Sequence, residues 1–529
     1  MSRSRSTRRW LALLLLPVLA LALTTAAKGG GGPHLSAPPT PSVSETLVSP
    51  SASHFPQNKQ NESPMAVNPV DPSNAITGAN DEIEEPDCTP ATDGSSSCPF
   101  ASGVDLSGVY WTTDGGSSWS QQILHWYGKI GLTSDGDPVV AFGPQPNGNG
   151  GFSYDSGARA YFGSLAGNPA VPSQELLAVD TSDDKGGTWN GPVVATTRDN
   201  PVDFNDKISL WVDNNPASPY FGNVYVGWTL FQGVGMTNWP EPIMVSRSTD
   251  GGATFSKPVK ITPAYNNNSV GGRQGSQIRT DSKGNVYVFW ESGTSSHQDY
   301  QQFAVSTNGG ASFGRPRNIA LVNDLPYPSF PGASFRINSF PSVDVGPSDA
   351  LYATWADSTA GHAVVKLAKS TDYGRTWSTS TVADVTGRSA FYPAVAAAAN
   401  GKVFIGFNAI DDKPVGTAPG AGVVSYDAYY VLSTNGGGSW SSPVKISAAP
   451  SDPDASSANN LAVQFIGDYN GAAAGSDGAF WFSWTDSRNG SACSAVDDYR
   501  AGTGPRPNIY DSCDPTFGNT DIYVAKVGP

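Results

Sequence analysis

Residues Ser370-Thr371-Asp372-Tyr373-Gly374-Arg375-Thr376-Trp377 decide the fold, because the same stretch recurs along the chain. It stands as Thr112-Thr113-Asp114-Gly115-Gly116-Ser117-Ser118-Trp119 and as Ser182-Asp183-Asp184-Lys185-Gly186-Gly187-Thr188-Trp189. Two more copies are Ser248-Thr249-Asp250-Gly251-Gly252-Ala253-Thr254-Phe255 and Ser306-Thr307-Asn308-Gly309-Gly310-Ala311-Ser312-Phe313. The sixth is Ser433-Thr434-Asn435-Gly436-Gly437-Gly438-Ser439-Trp440. Successive starts lie 70, 66, 58, 64 and 63 residues apart, and a period of this size marks a repeat architecture. Each copy has a local logic. The Asp or Asn side chain accepts N–H groups of the turn it opens, a glycine supplies positive φ without a Cβ clash, and the closing Trp or Phe begins the next strand.

Working outward, each copy follows a pair of short apolar strands. Ile208–Asp213 with Asn223–Trp228, Ile278–Asp281 with Asn285–Trp290 and Val343–Val345 with Leu351–Trp355 are clear pairs. Ala394–Ala397 with Lys402–Phe407 and Asp468–Gly471 with Ala479–Trp484 continue the series. Met65–Asn68 with Asn74–Gly78 starts it, and Val139–Phe142 with Ala158–Phe162 is a looser member. Six pairs are followed by a turn motif, and the seventh by Asp521–Val527 alone. Seven units of four strands predict an all-β chain, a β-propeller of four-stranded antiparallel blades. Six blades is the alternative if residues 139–162 are an insertion. Pairing of the stretch around His54–Lys59 with the last blade would close the ring and leave no long open edge.

The ends and the composition agree with export. Four arginines (Arg3, Arg5, Arg8, Arg9) precede an apolar run from Trp10 to Leu23 and the small residues Thr25-Ala26-Ala27. This predicts a signal peptide over 1–27, too short in its apolar run for a membrane span. Thr7-Arg8-Arg9-Trp10-Leu11 also resembles a twin-arginine signal, although the Leu-rich run favours the general secretory route. Residues 28–60 are rich in Gly, Pro and Ser and read as a disordered linker, with the folded body over 61–529. Removing four of the 31 basic residues leaves 27 against 46 acidic ones, about −19 in formal charge. A field of that sign excludes nucleic acid and anionic membranes as favoured partners. Four cysteines (Cys88, Cys98, Cys493, Cys513) in an exported chain predict two disulfides, with local pairs Cys88–Cys98 and Cys493–Cys513 expected. No Cys-x-x-Cys spacing is present, so neither a metal site nor a cofactor is expected.

The turn motif resembles the Asp box (S-x-D-x-G-x-T-W, the BNR repeat) of the sialidase superfamily. That resemblance implies a propeller that acts on or binds extracellular glycans, as a glycoside hydrolase or as a non-catalytic carbohydrate- or protein-binding module, and a monomer. It is specific for architecture. The first-blade Arg-Ile-Pro motif of sialidases is absent: no arginine lies between Arg9 and Arg159, and Phe335-Arg336-Ile337-Asn338 falls in the fifth unit with Asn in place of Pro. The Asp-box residues are accordingly read as structural.

In a propeller, the starts of innermost strands and the loops after second strands share one face. Glu62, Asp206, Lys207, Arg273, Arg336, Tyr392, Asp468 and Tyr469 stand at such starts, and Glu291 and Arg488 in such loops. Carboxylates there could serve as acid, base or nucleophile, and arginines could clamp anionic groups. The plainer reading makes them strand-end polar residues satisfying backbone. Tyr469, Glu62, Glu291 and Asp206 are the candidate catalytic groups, with Tyr469 and Glu62 able to meet as a nucleophile and its base. Arg273, Arg336 and Arg488 are the candidate ligand contacts.

Overall fold

The computed structural model of the chain describes residues 42–50, 53–197, 203–232, 240–263, 272–293, 298–359, 361–420 and 423–528. The expected signal peptide lies outside them. Their structure is nearly all β, in antiparallel sheets. The α-helices among them are two short segments, Ser494–Arg500 and Ile509–Ser512. No helix among them is long and apolar enough to cross a membrane.

The strands fall into seven groups in chain order, each with a first strand that is buried or nearly so. These first strands are Met65–Val67, Val139–Pro146, Asp203–Val212, Arg273–Thr280, Ser342–Gly346, Arg388–Ala397 and Gly471–Ala474. In every group but the last the next strands pair outward in sequence order, as in Arg273–Thr280, Val286–Ser292, Asp299–Ser306 and Arg317–Val322. The second and third groups are linked by one parallel bridge between Glu175 and Phe204. Each first strand contacts the next along the chain, and Gly471–Ala474 contacts Met65–Val67. Second strands such as Val286–Ser292 and Phe480–Asp486 read as near-continuous apolar runs because both faces of their sheets are covered.

The repeated turns set the spacing between groups. In the Asp372 copy, Oδ1 accepts the N–H groups of Arg375 and Thr376 at 3.0 and 2.9 Å, and Oδ2 accepts the Thr376 hydroxyl at 2.6 Å. Gly374, at φ +73°, lies flat against the Phe303 ring of the preceding group, where an added Cβ would sit 2.7 Å from the ring edge. The same approach recurs: Gly116 on Trp481, Gly186 on Trp111, Gly252 on Tyr161, Gly310 on Tyr225 and Gly437 on Tyr352. Every copy therefore seats a bare backbone on an aromatic ring of the group before it, the first copy on the seventh group.

Two expectations about the N-terminal region change. The described residues 43–50 and 53–60 belong to the folded body rather than to a linker: Val43–Leu47 is the outer strand of the last group, pairing with Asp521–Val527 in the register Val43↔Val527 to Leu47↔Tyr523. Gly/Pro/Ser composition hid it because a five-residue edge strand needs few apolar positions. Closure of the last group thus falls to Val43–Leu47, while the stretch near His54–Lys59 contributes only the single bridge Lys59↔Thr520. Both local disulfides, Cys88–Cys98 and Cys493–Cys513, are formed.

Replacing Gly374 with Ala is expected to cost about 2–4 kcal/mol, from a positive-φ site with no room for a methyl group. Asp372→Ala should cost less, since its turn is solvent-exposed. Chemical denaturation of both variants checks the order, and a tolerated Gly374→Ala would refute the seating of the turn.

Candidate functional site

The first strands of all seven groups line one central cavity of about 540 Å³, with Lys207, Arg279, Asp344, Tyr392, Asp468 and Tyr469 among its walls. Where these strands begin, the chain repeatedly turns through the left-handed region: Glu62 (φ 63°), Asp137 (49°), Lys207 (56°), Gly275 (70°), Tyr392 (49°) and Gly467 (81°). The ladders slip at the same points, between Asp206 and Ser209, Gln274 and Gln277, and Phe391 and Ala394. A bulge re-aims one side chain off the pleat, and holding a non-glycine residue there costs about 1–3 kcal/mol. Four such residues lie around one charged cluster.

Asp468 is its hub. Arg336 grips it bidentately, Nε to Oδ1 and Nη2 to Oδ2, each at 2.7 Å. The Lys207 ammonium sits 3.9 Å from Asp468 Oδ2 and 3.8 Å from the centre of the Tyr469 ring, and its Nζ has no hydrogen-bond partner. The Tyr392 hydroxyl lies 2.6 and 2.8 Å from the Arg336 and Gly467 carbonyls and shares its one proton between them, fixing the loop that carries Arg336.

Glu62 lies beneath this layer, with no exposure. Neither of its oxygens is hydrogen-bonded, and Arg336 Nη2 stands 3.6 Å from Oε1. Burial, then the neighbouring Asp137, push its carboxyl well up against the opposing pull of Lys207, favouring the proton-bearing form. Asp206 is partly exposed and is raised to about 7 by burial and by Asp137, while Lys207 and its backbone N–H, 2.9 Å from Oδ1, pull the other way. Tyr469 donates to the Pro138 carbonyl at 2.8 Å, and burial together with Glu62 and Asp137 raises its phenol. Such surroundings oppose a phenolate.

Of the seven residues expected from sequence, Tyr469, Glu62, Asp206 and Arg336 meet in this cluster. Three stand elsewhere. Glu291 is raised chiefly by burial and by Asp324, with which it shares a hydrogen bond away from Asp468. Arg273 is buried, donates to the Pro263 carbonyl at 2.7 Å and receives the Glu241 carboxylate on its backbone N–H. Arg488 is a structural clasp: it binds Asp486 through Nε and Nη2 at 2.9 and 2.6 Å, meets Glu45 at 2.5 Å, and stacks over Tyr523. It therefore holds the strand Val43–Leu47, which had been read as linker. Asp137 was missed because its unit is the loosest repeat. A signal existed, since Ser63-Pro64, Asp137-Pro138, Phe340-Pro341 and Tyr392-Pro393 all punctuate first-strand starts.

No family model matches the chain, and no curated protein matches it. Among solved structures it is similar to the Hadza microbial sialidase Hz136, at 15% identity over 72% of this chain and 71% of that one, with a TM-score of 0.41. A protein of unknown function from Dyadobacter fermentans is similar over 92% of this chain and 99% of that one, at 11% identity and a TM-score of 0.40. The α-L-arabinofuranosidase Arb93A of Fusarium graminearum is similar over 71% and 94%, at 13% identity and a TM-score of 0.40.

Two outcomes follow from this geometry. Asp206, raised from 3.8 to about 7, holds a proton in the folded state that the unfolded chain has released. Its contribution to stability is complete below pH about 4 and is lost as pH rises through about 7. Thermal melts of Asp206→Asn should thus fall less steeply than wild type across that window. Arg488→Ala should destabilise by about 3–5 kcal/mol, through the stranded carboxylates of Asp486 and Glu45, and leave ligand binding in the folded fraction unchanged. Melts paired with binding measurements check it.

Proposed function

We propose that the chain is an exported seven-bladed β-propeller and a glycoside hydrolase, acting on a glycan seated over the central cavity at the Asp468 cluster. Seven first strands in contact around one cavity, with the last touching the first, support the blade number. The N-terminal sequence and the two disulfides support export to an oxidising compartment.

One observation carries the catalytic reading: Asp206, partly exposed and raised to about 7, shares a cluster with the Arg336-held carboxylate of Asp468. Two carboxyl groups in unlike environments are what glycoside hydrolysis needs. Asp206 gives its proton to the glycosidic oxygen as the C–O bond breaks. Water adds its oxygen to the anomeric carbon, and its proton passes to Asp468. Lys207 lines the same cavity beside Asp468 and in this reading faces the sugar. Glu62 lies too deep to touch substrate in this arrangement and serves to hold Asp137 and Arg336 in place. The glycone in this reading is uncharged. Arg336 is saturated by Asp468, and four carboxyl groups face only two cations.

A panel of aryl glycosides, neutral sugars beside a sialoside, tests this. Turnover of a neutral glycoside should fall as pH rises above about 7, when Asp206 loses its proton. Asp206→Asn should lower kcat about 10²–10⁴-fold with KM little changed. Rapid turnover of the sialoside instead would overturn the uncharged glycone. No turnover of any glycoside, with glycan binding that needs Lys207, would leave a carbohydrate-binding module.

A further inference from the structure

A second cavity of about 450 Å³ opens at the seam between the first and last groups, walled by Pro99 and Phe100 on one side, Asn459 and Asn460 below, and Arg506 opposite. It is braced on every side. The Cys88–Cys98 disulfide anchors the Phe100 loop, and the Glu85 carboxylate takes the Ala101 N–H at 3.2 and 3.0 Å. Across the seam, Ser96 N–H donates to the Pro507 carbonyl at 3.2 Å, and the Ile509 N–H donates to Ser96 Oγ at 3.4 Å. Arg500 holds the Asn459 loop through the carbonyls of Ser456 and Leu461.

The chemistry of the walls is one-sided. Lys59 Nζ, which can only donate, lies 2.5 Å from Asn459 Oδ1, so the amide of this 7% exposed residue is oriented with its NH₂ away from the lysine. Among the described residues that Nδ2 and Arg506 Nε, both buried, have no hydrogen-bond partner. Asp93 lies within Coulomb range of the Arg506 guanidinium but forms no ion pair with it among the described residues. Phe100, 59% exposed, presents its ring at the rim. A partly exposed guanidinium with no ion pair among the described residues and an open aromatic face, over a floor of unpartnered amide donors, match an anionic group carried on a ring with polarised C–H bonds. Phe465 ties the groove to the Asp468 cluster, lying 5.9 Å from Lys59 Nζ and 4.9 Å from the Arg336 guanidinium.

We propose that this groove is a distal subsite for an anionic pyranose residue, carboxylated or sulfated, of the glycan held by the chain; the choice of a sugar rests on the glycan-directed reading above. Titrations of the full mature, disulfide-bonded chain followed by ligand NMR test it, with D-glucuronate, D-glucose 6-sulfate and D-glucose as probes. Wild type should bind one of the anionic sugars about tenfold more tightly than glucose, and the tighter one identifies the anion. Arg506→Gln should erase that preference, and Phe100→Ala should weaken the anionic probe about fivefold, both with unchanged melting temperature. Asp206→Asn should leave the binding intact, so a chain that binds in this way yet hydrolyses nothing refutes the hydrolase and keeps the subsite. Equal binding of glucose and both anionic sugars, no binding of any, or a preference that survives Arg506→Gln would overturn it.

Discussion

The contact on which the rest of the structure depends is a glycine backbone lying against an aromatic ring of the preceding group, repeated six times. Each partner needs the other to be what it is. The ring requires a surface without a Cβ, and the glycine requires a turn that holds φ positive. The turn's carboxylate or amide supplies that by collecting the N–H groups that would otherwise point into solvent. The contact recurs at each of the six turns, always on a ring of the preceding group. The first copy, landing on Trp481, joins the beginning of the chain to its end.

Such regularity at the periphery is what permits irregularity at the centre. First strands delivered side by side can each afford a bulge at their start, and the left-handed residues Glu62, Asp137, Lys207 and Tyr392 are then directed to one place. None of these conformations would persist in an isolated strand, since each is strained. Their concentration around Asp468 sets that cluster apart from the other strand starts and is what the functional reading rests on.

Much of the architecture was legible because it is periodic. Six turn motifs and seven strand pairs register in the sequence at fixed spacing, and local cysteine pairs follow from proximity. The site was half legible. Positions at strand starts could be enumerated, so Glu62, Asp206, Arg336 and Tyr469 were found, but a one-dimensional pattern does not say which of them a bulge turns toward its neighbours. Arg488 looked like a ligand contact because its partner Glu45 lay in sequence that resembled a linker, and an arginine seems available when its carboxylate is hidden. Asp137 was overlooked for the opposite reason, since its repeat is the most distorted of the seven.

The seam between first and last groups concentrates these exceptions for a physical reason. Six of the interfaces between groups are formed by strands close in sequence, whereas the seventh must join segments more than 400 residues apart, as in Asn58 to Phe517 and Cys88 to Tyr510. Closing so long a loop has an entropic cost that short-range turns do not meet. Extra clasps therefore accumulate there: the strand Val43–Leu47, the Glu45–Arg488–Asp486 network and the two disulfide-bonded loops. The two disulfide-bonded loops also wall the groove between Phe100 and Arg506, so the seam that joins the chain's ends and the groove beside it are built from the same long-range contacts.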